Sequence, residues 1–191
     1  MILRSLTVSG LRCFRNPVEL NDFSEGINII YGPNESGKST LISGLVLAFL
    51  NRHDMTGEAI EAFRPWATSL SPLIRAEFTV KGKQYCLEKG FLDKARSILS
   101  EWDGLCYQRL DEGKAADDKV RRMMQAQLPI RGLSKNTQWG LAHLLWMPQG
   151  KDRFSSPSIT EPVIQDYFRQ AMGATLFSKK DDKLLGLISK R

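Results

Sequence analysis

Residues Gly32-Pro33-Asn34-Glu35-Ser36-Gly37-Lys38-Ser39-Thr40 fit the pattern G-x-x-x-x-G-K-[ST] at every fixed position. Each residue type answers a need of phosphate chemistry. Gly32 and Gly37 let the loop curl so that successive backbone N–H groups, through Asn34, Glu35, Ser36 and Gly37 to Thr40, face a phosphate chain. Lys38 brings a mobile positive charge for the β- and γ-phosphates, and the Ser39 hydroxyl is a hard oxygen ligand for Mg²⁺. The competing reading is a glycine turn before a core helix, with its lysine there by chance. The flanks oppose it. Before the loop, Gly26-Ile27-Asn28-Ile29-Ile30-Tyr31 is apolar and β-branched, as in a buried parallel strand. After it, residues 41–50 are apolar almost all round, as in a buried helix whose N-terminus adds free N–H groups and a positive dipole end. Strand, glycine loop and helix together predict a nucleoside triphosphate, ATP or GTP, bound with Mg²⁺.

The elements around this loop follow from periodicity. Leu6 and Val8 alternate with polar neighbours in a first strand, Gly10 breaks it, and Val18 and Leu20 mark a second. Residues 51–72 read as irregular, with His53 at the surface. Within them Phe63-Arg64-Pro65-Trp66 is an aromatic–cation–aromatic cluster that either packs on the core or lines a path for nucleotide or DNA. Ile74, Ala76, Phe78 and Val80 alternate in a strand that turns at Lys81-Gly82-Lys83 into a return strand over 84–88. A second hairpin joins 97–102 to 105–110 through Asp103-Gly104. From Lys114 to Leu128, Ala116, Val120, Met123, Met124 and Leu128 recur at helical spacing, with Arg121 and Arg122 on the polar face, either solvated or touching a phosphate backbone, and Pro129 as the stop.

Gly10-Leu11-Arg12-Cys13-Phe14-Arg15, a short strand, and then Glu25 through Leu41 together resemble the N-terminus of the SMC/SbcC/RecF/RecN group of ABC-type ATPases. The fold class this implies is α/β: the N-terminal half of an ABC-type P-loop head, with parallel core strands, an antiparallel hairpin region and helices leading to a coiled coil. In that group an arginine near the first strand reaches the nucleotide phosphates, and Arg12 holds the matching position; by itself it would read as a solvated loop arginine. Leu145-Trp146-Met147-Pro148-Gln149-Gly150 is similar to the group's Q-loop, which makes Gln149 a candidate for holding Mg²⁺ or the attacking water, the alternative being a polar turn. The resemblance divides the chain into 1–150, the lobe from P-loop to Q-loop, and 151–191, a helical segment leading toward a coiled coil. In that second segment Val163, Ile164, Tyr167, Phe168 and Met172 give one helix an apolar face, and a last stretch over 178–190 mixes leucines with lysines. His143 reads as structural.

No apolar run after the P-loop ends in the Asp or Glu that a P-loop ATPase needs for Mg²⁺, and no Leu-Ser-Gly-Gly-type signature occurs. In the resembled group both lie in the C-terminal half. The chain is therefore expected to be the ATP-binding half of a DNA-repair or chromosome-type ATPase. Its expected partners are the C-terminal half of the same head, a second head joined through ATP, double-stranded DNA, and a nuclease or adaptor subunit. ATP hydrolysis, with Lys38 and Gln149 in catalysis, is expected only of the completed head. Two other readings stay open: a complete small P-loop phosphotransferase, and an ATP-binding scaffold without turnover. A GTPase is disfavoured because Lys135-Asn136-Thr137-Gln138 is not an Asn-Lys-x-Asp guanine reader.

The formal charge of +6 is compatible with nucleic acid and does not demand it. Cys13, Cys86 and Cys106 form no metal-type pair, which predicts buried reduced thiols. With no signal-like N-terminus and no run long enough for a membrane span, the expected compartment is the cytoplasm, at the nucleoid in a bacterium.

Overall fold

A computed structural model describes residues 1–128, 132–134 and 138–140, all within one compact unit, Met1–Ala142. Six strands form one sheet in the order β2-β1-β3-β4-β5-β6: β1 (Ile2–Ser9), β2 (Val18–Leu20), β3 (Leu73–Val80), β4 (Lys83–Gly90), β5 (Arg96–Trp102) and β6 (Tyr107–Glu112). Every pairing is antiparallel. The register carries an apolar stripe across the sheet: Val18 opposite Val8, Leu6 opposite Ala76, Ala76 opposite Leu87, and Leu87 opposite Leu99. Period-2 alternation puts these side chains on one face, where Leu6, Val8, Ile74, Ala76, Phe78, Leu87 and Leu99 are buried. The other face carries Arg75, bonded to Glu77 and near Glu88.

Helices α1 (Lys38–Leu50) and α3 (Lys114–Met123) cover the buried face, α1 over β1, β3 and β4, and α3 over β5 and β6. On α1, Leu41, Gly44, Leu47 and Ala48 make the buried stripe. Gly44 allows close approach: a Cβ there would sit 3.1 Å from Val8 Cγ1 and 3.2 Å from Leu11 Cδ2. The expected hairpin region is thus present as β3–β4 and β5–β6, and β1 and β2 extend the same antiparallel sheet.

The expected parallel strand over residues 26–31 is not formed. Those residues pair with no strand, and Ile27, Ile29 and Tyr31 are 90%, 80% and 90% exposed. A parallel strand needs neighbours along its edges and cover on both faces, and the described residues supply neither. No coiled coil occurs among the described residues, and the 151–191 segment lies outside them.

Three further expectations change. Residues 51–72 include a short helix, α2 (Glu58–Glu61). Helix α3 stops at Met123, five residues early, in a Schellman cap: Ala126 N–H donates to Arg121 O (2.9 Å), Gln125 N–H to Arg122 O (3.0 Å), and Gln125 takes the left-handed conformation at φ 54°. Leu128 is left 49% exposed. Of the three thiols only Cys86 is buried; Cys13 and Cys106 are exposed.

Candidate functional site

The loop over residues 32–37 feeds directly into the first turn of α1. Gly37 is the N-cap residue at φ 91°, the left-handed region that favours glycine. Space demands glycine there as well: an added Cβ would collide with Phe14 Cζ and lie 2.7 Å from Cys13 Sγ. No side chain caps the helix, and its first turn holds no acidic residue. The N–H groups and the positive dipole end are thus left for an anion.

Lys38 folds back over its own loop. Its Nζ donates to Gly32 O (2.9 Å) and Pro33 O (2.6 Å), so the ammonium is held over the ring of backbone that precedes the helix. Ser39 is exposed, and Asn34, Glu35 and Ser36 stand open at the tip, with Glu35 in the left-handed region at φ 65°. Thr40 is buried, its Oγ1 in contact with Cys13 Sγ at 3.8 Å. The residues present fit a Mg²⁺-triphosphate: a glycine cradle that a side chain would fill, an uncapped helix start, an ammonium and an exposed hydroxyl.

Arg12 is brought beside this loop by the turn after β1, where Leu11 and Phe14 form an isolated antiparallel bridge. Its backbone takes φ 48°, its N–H donates to Phe63 O (2.8 Å), and its guanidinium lies 4.6 Å from the centroid of the Phe63 ring. Arg12 and Cys13 line a cleft of about 600 Å³ with Ala62, Pro65, Trp66 and Thr68. The structure therefore gathers Arg12, the P-loop and the Phe63–Trp66 segment into one neighbourhood. Arg64 and Glu61 line the same cleft, but the guanidinium is engaged: Nε pairs with Glu61 (2.5 Å), Nη2 with Asp93 (2.7 Å), and Nη1 donates to Ser69 O (2.7 Å). Gln149 and His143 lie outside the described residues.

A second polar centre sits at the other end of α1, and sequence reading missed it. Lys89, 1% exposed, pairs with Asp117 Oδ1 (2.8 Å) and donates to Asn51 O (2.8 Å). Asp117 Oδ2 meets His53 Nδ1 at 2.7 Å and accepts from His53 N–H at 3.0 Å. Burial alone would raise the Asp117 carboxyl, but the Lys89 ammonium and the His53 bonds hold it below the usual carboxylate range. Arg121, fully buried, donates to Leu50 O, to Gln127 O (2.5 Å) and to Gln138 O (3.1 Å). Neither His53 nor Arg121 is thus a surface group. The signal existed in the spacing: Lys89 continues the inward series Tyr85, Leu87, and Asp117, Val120 and Arg121 share one helical face. Opposite charges on two apolar faces predict a buried pair.

The sequence matches the AAA domain family (AAA_23) over residues 5–127. It is also 36% identical over 83 residues to the chromosome partition protein Smc of Mycolicibacterium paratuberculosis, and equally so to those of Mycobacterium tuberculosis and Mycobacterium leprae. These matches cover 42% of this chain and 7% of each relative, so the chain spans only a small part of their length. Matching the family over more than half of its residues, the chain belongs to the AAA domain family, a P-loop NTPase, and its likeness to Smc bears out the resemblance to the N-terminal half of an SMC-type ATPase head.

Proposed function

We propose that this chain is the ATP-binding half of a chromosome- or DNA-repair-type ATPase head. One observation carries the reading most strongly. The P-loop sits at an uncapped helix start, closed by glycine at Gly37, with Lys38 Nζ over the Gly32 and Pro33 carbonyls. In this reading the loop amides from Asn34 to Thr40 hold the phosphates, Lys38 exchanges its carbonyl partners for phosphate oxygens, and Ser39 turns its hydroxyl to Mg²⁺. Mg²⁺, when bound, neutralises charge between the phosphates. Arg12 adds a second positive charge beside the loop, and Gln149 reports on the γ-phosphate. The C-terminal half brings the Mg²⁺-binding carboxylate and the general base. A second head closes on ATP, and closure and release are coupled to double-stranded DNA, with a nuclease or adaptor as a further partner. Ile27, Ile29 and Tyr31, which no described residue covers, are compatible with this composite reading, because such an apolar row needs cover from beyond the described residues.

The test is a calorimetric titration of the chain with Mg²⁺-ATP beside Lys38→Ala, together with a phosphate-release assay. Binding without turnover, lost in Lys38→Ala, is the expected result. Robust turnover by this chain alone would replace the composite reading with that of a complete phosphotransferase. A Lys38→Ala head that still dimerises on ATP would remove the coupling.

A further inference from the structure

Trp66 is the one member of the Phe63–Trp66 cluster that nothing among the described residues explains. Phe63 packs on Arg12, Arg64 is tied to Glu61 and Asp93, and Pro65 is buried, yet the Trp66 residue is 91% exposed. Exposing an indole forfeits the burial for which tryptophan is suited. A mobile loop would account for that, but this loop is fastened along its length. Arg15 Nη2 donates to Trp66 O (3.3 Å), Thr68 Oγ1 donates to Pro65 O (2.9 Å), and Arg64 Nη1 donates to Ser69 O (2.7 Å). Ala67 takes φ 56°, a strained turn immediately after the indole. The ring is therefore presented by a pinned backbone.

The cleft beside it fixes what it is presented to. Its wall includes Arg12 and Cys13, and Cys13 touches both Gly37 and Thr40 of the P-loop. The space of about 600 Å³ thus opens next to the phosphate cradle and lies in the range of small-molecule sites. Resting on the ATP-binding reading above, we propose that Trp66 is the stacking platform for the nucleobase of the nucleotide whose phosphates occupy the P-loop. Stacking on one indole face is indifferent to base edges and strongest for the larger ring, so the site takes a purine nucleoside triphosphate and discriminates weakly between adenine and guanine. A rigid platform also lowers the ordering cost of binding.

The experiment compares wild type, Trp66→Ala and Trp66→Phe, each titrated with Mg²⁺-ATP and with Mg²⁺-tripolyphosphate, which has the phosphates and no base. Because Trp66 is exposed, neither substitution disturbs packing, and thermal melts check this. Trp66→Ala is expected to bind ATP about tenfold more weakly and tripolyphosphate unchanged, with Trp66→Phe recovering most of the loss. Unchanged ATP affinity in Trp66→Ala overturns the proposal while leaving the P-loop reading intact, and so does an equal loss for both ligands. A loss confined to single-stranded oligothymidylate reassigns the indole to a nucleic-acid path. Wild type that binds neither phosphate ligand overturns the ATP-binding reading, and this inference with it.

Discussion

Helix α1 has two unlike ends about 20 Å apart, as its 13 residues require. The C-terminal end is closed. Its Leu50 and Asn51 carbonyls are taken by Arg121 and Lys89, and the Asn51 side chain donates to Val46 O (3.1 Å) and accepts from Ser134 N–H (2.8 Å). The N-terminal end is open. It has no side-chain cap, its lysine bonds among the described residues only to loop carbonyls, and the residues before it are exposed. One end satisfies its polar groups from within the fold, and the other leaves them for something outside it. A helix whose N-terminal N–H groups are left without partners in the fold has to be held from behind, and the buried charge cluster is what holds it.

The largest expected effect lies at the closed end. Asp117→Ala leaves Lys89 buried without a counter-ion, its ammonium held by the Asn51 carbonyl alone among the described residues, and is expected to cost about 3–5 kcal/mol in urea unfolding. The double variant Lys89→Met with Asp117→Leu should lose far less, since no charge is then stranded. A single and a double variant of equal cost would mean that the cluster does not act as a pair. The Asp117 shift also sets a pH dependence. Its carboxyl is depressed in the folded state, so its contribution is complete above the unfolded value of about 3.9 and is lost as pH falls through the lower folded value. Wild-type melting temperature should drop steeply across that acid window, and Asp117→Asn should flatten the drop.

Next comes Arg121→Met, which keeps the side-chain length and removes the donors to Leu50, Gln127 and Gln138 carbonyls. The expected loss is roughly 1–3 kcal/mol, the cost of a buried carbonyl left bare. If ATP affinity in this variant falls more than stability does, the closed end governs the open one, and the contrast between them becomes a coupling.

Thiol chemistry separates the two ends without a mutation. Burial pushes the Cys86 thiol up to about 11, so it should alkylate slowly at pH 8, while the exposed Cys13 and Cys106 react fast. Mg²⁺-ATP should protect Cys13, which touches Gly37 and Thr40, and leave Cys106 unchanged. Mass spectrometry of the labelled peptides reads both; equal rates for Cys13 with and without nucleotide would detach it from the open end.

The smallest effect belongs to the β5–β6 hairpin, remote from both ends in sequence. Asp103 accepts backbone N–H bonds from Cys106 (2.9 Å) and Leu105 (2.8 Å) and one from Gln108 Nε2 (3.0 Å), and these hold its carboxyl down to about 2. The turn should therefore keep its amide shifts in acid until pH falls through about 2. Asp103→Ala should loosen the hairpin locally with no change at either end of α1.

The hairpins were legible because alternation such as Ile74, Ala76, Phe78 and the Asp103-Gly104 turn are local signals. So was the P-loop, since its glycines and lysine act through the backbone they belong to. The strand over 26–31 was not decided locally: Ile27, Ile29 and Tyr31 have strand composition, but pairing belongs to neighbours. Arg121 and His53 were misplaced because a charge is normally solvated, and only a partner distant in sequence overrides that rule. Asp117 lies 64 residues from His53, and Arg121 lies 71 from Leu50. By itself the sequence determined the glycine loop, the helix behind it and the two antiparallel hairpins β3–β4 and β5–β6, because those rest on interactions between near neighbours. The pairing of β1 with β3, by contrast, joins Leu6 to Ala76 and was decided only by the tertiary structure. The tertiary structure alone decided which charges are buried, which end of α1 is sealed, and that Arg12, Cys13 and Trp66 share a cleft, because burial and pairing between distant segments exist only once the chain has closed on itself.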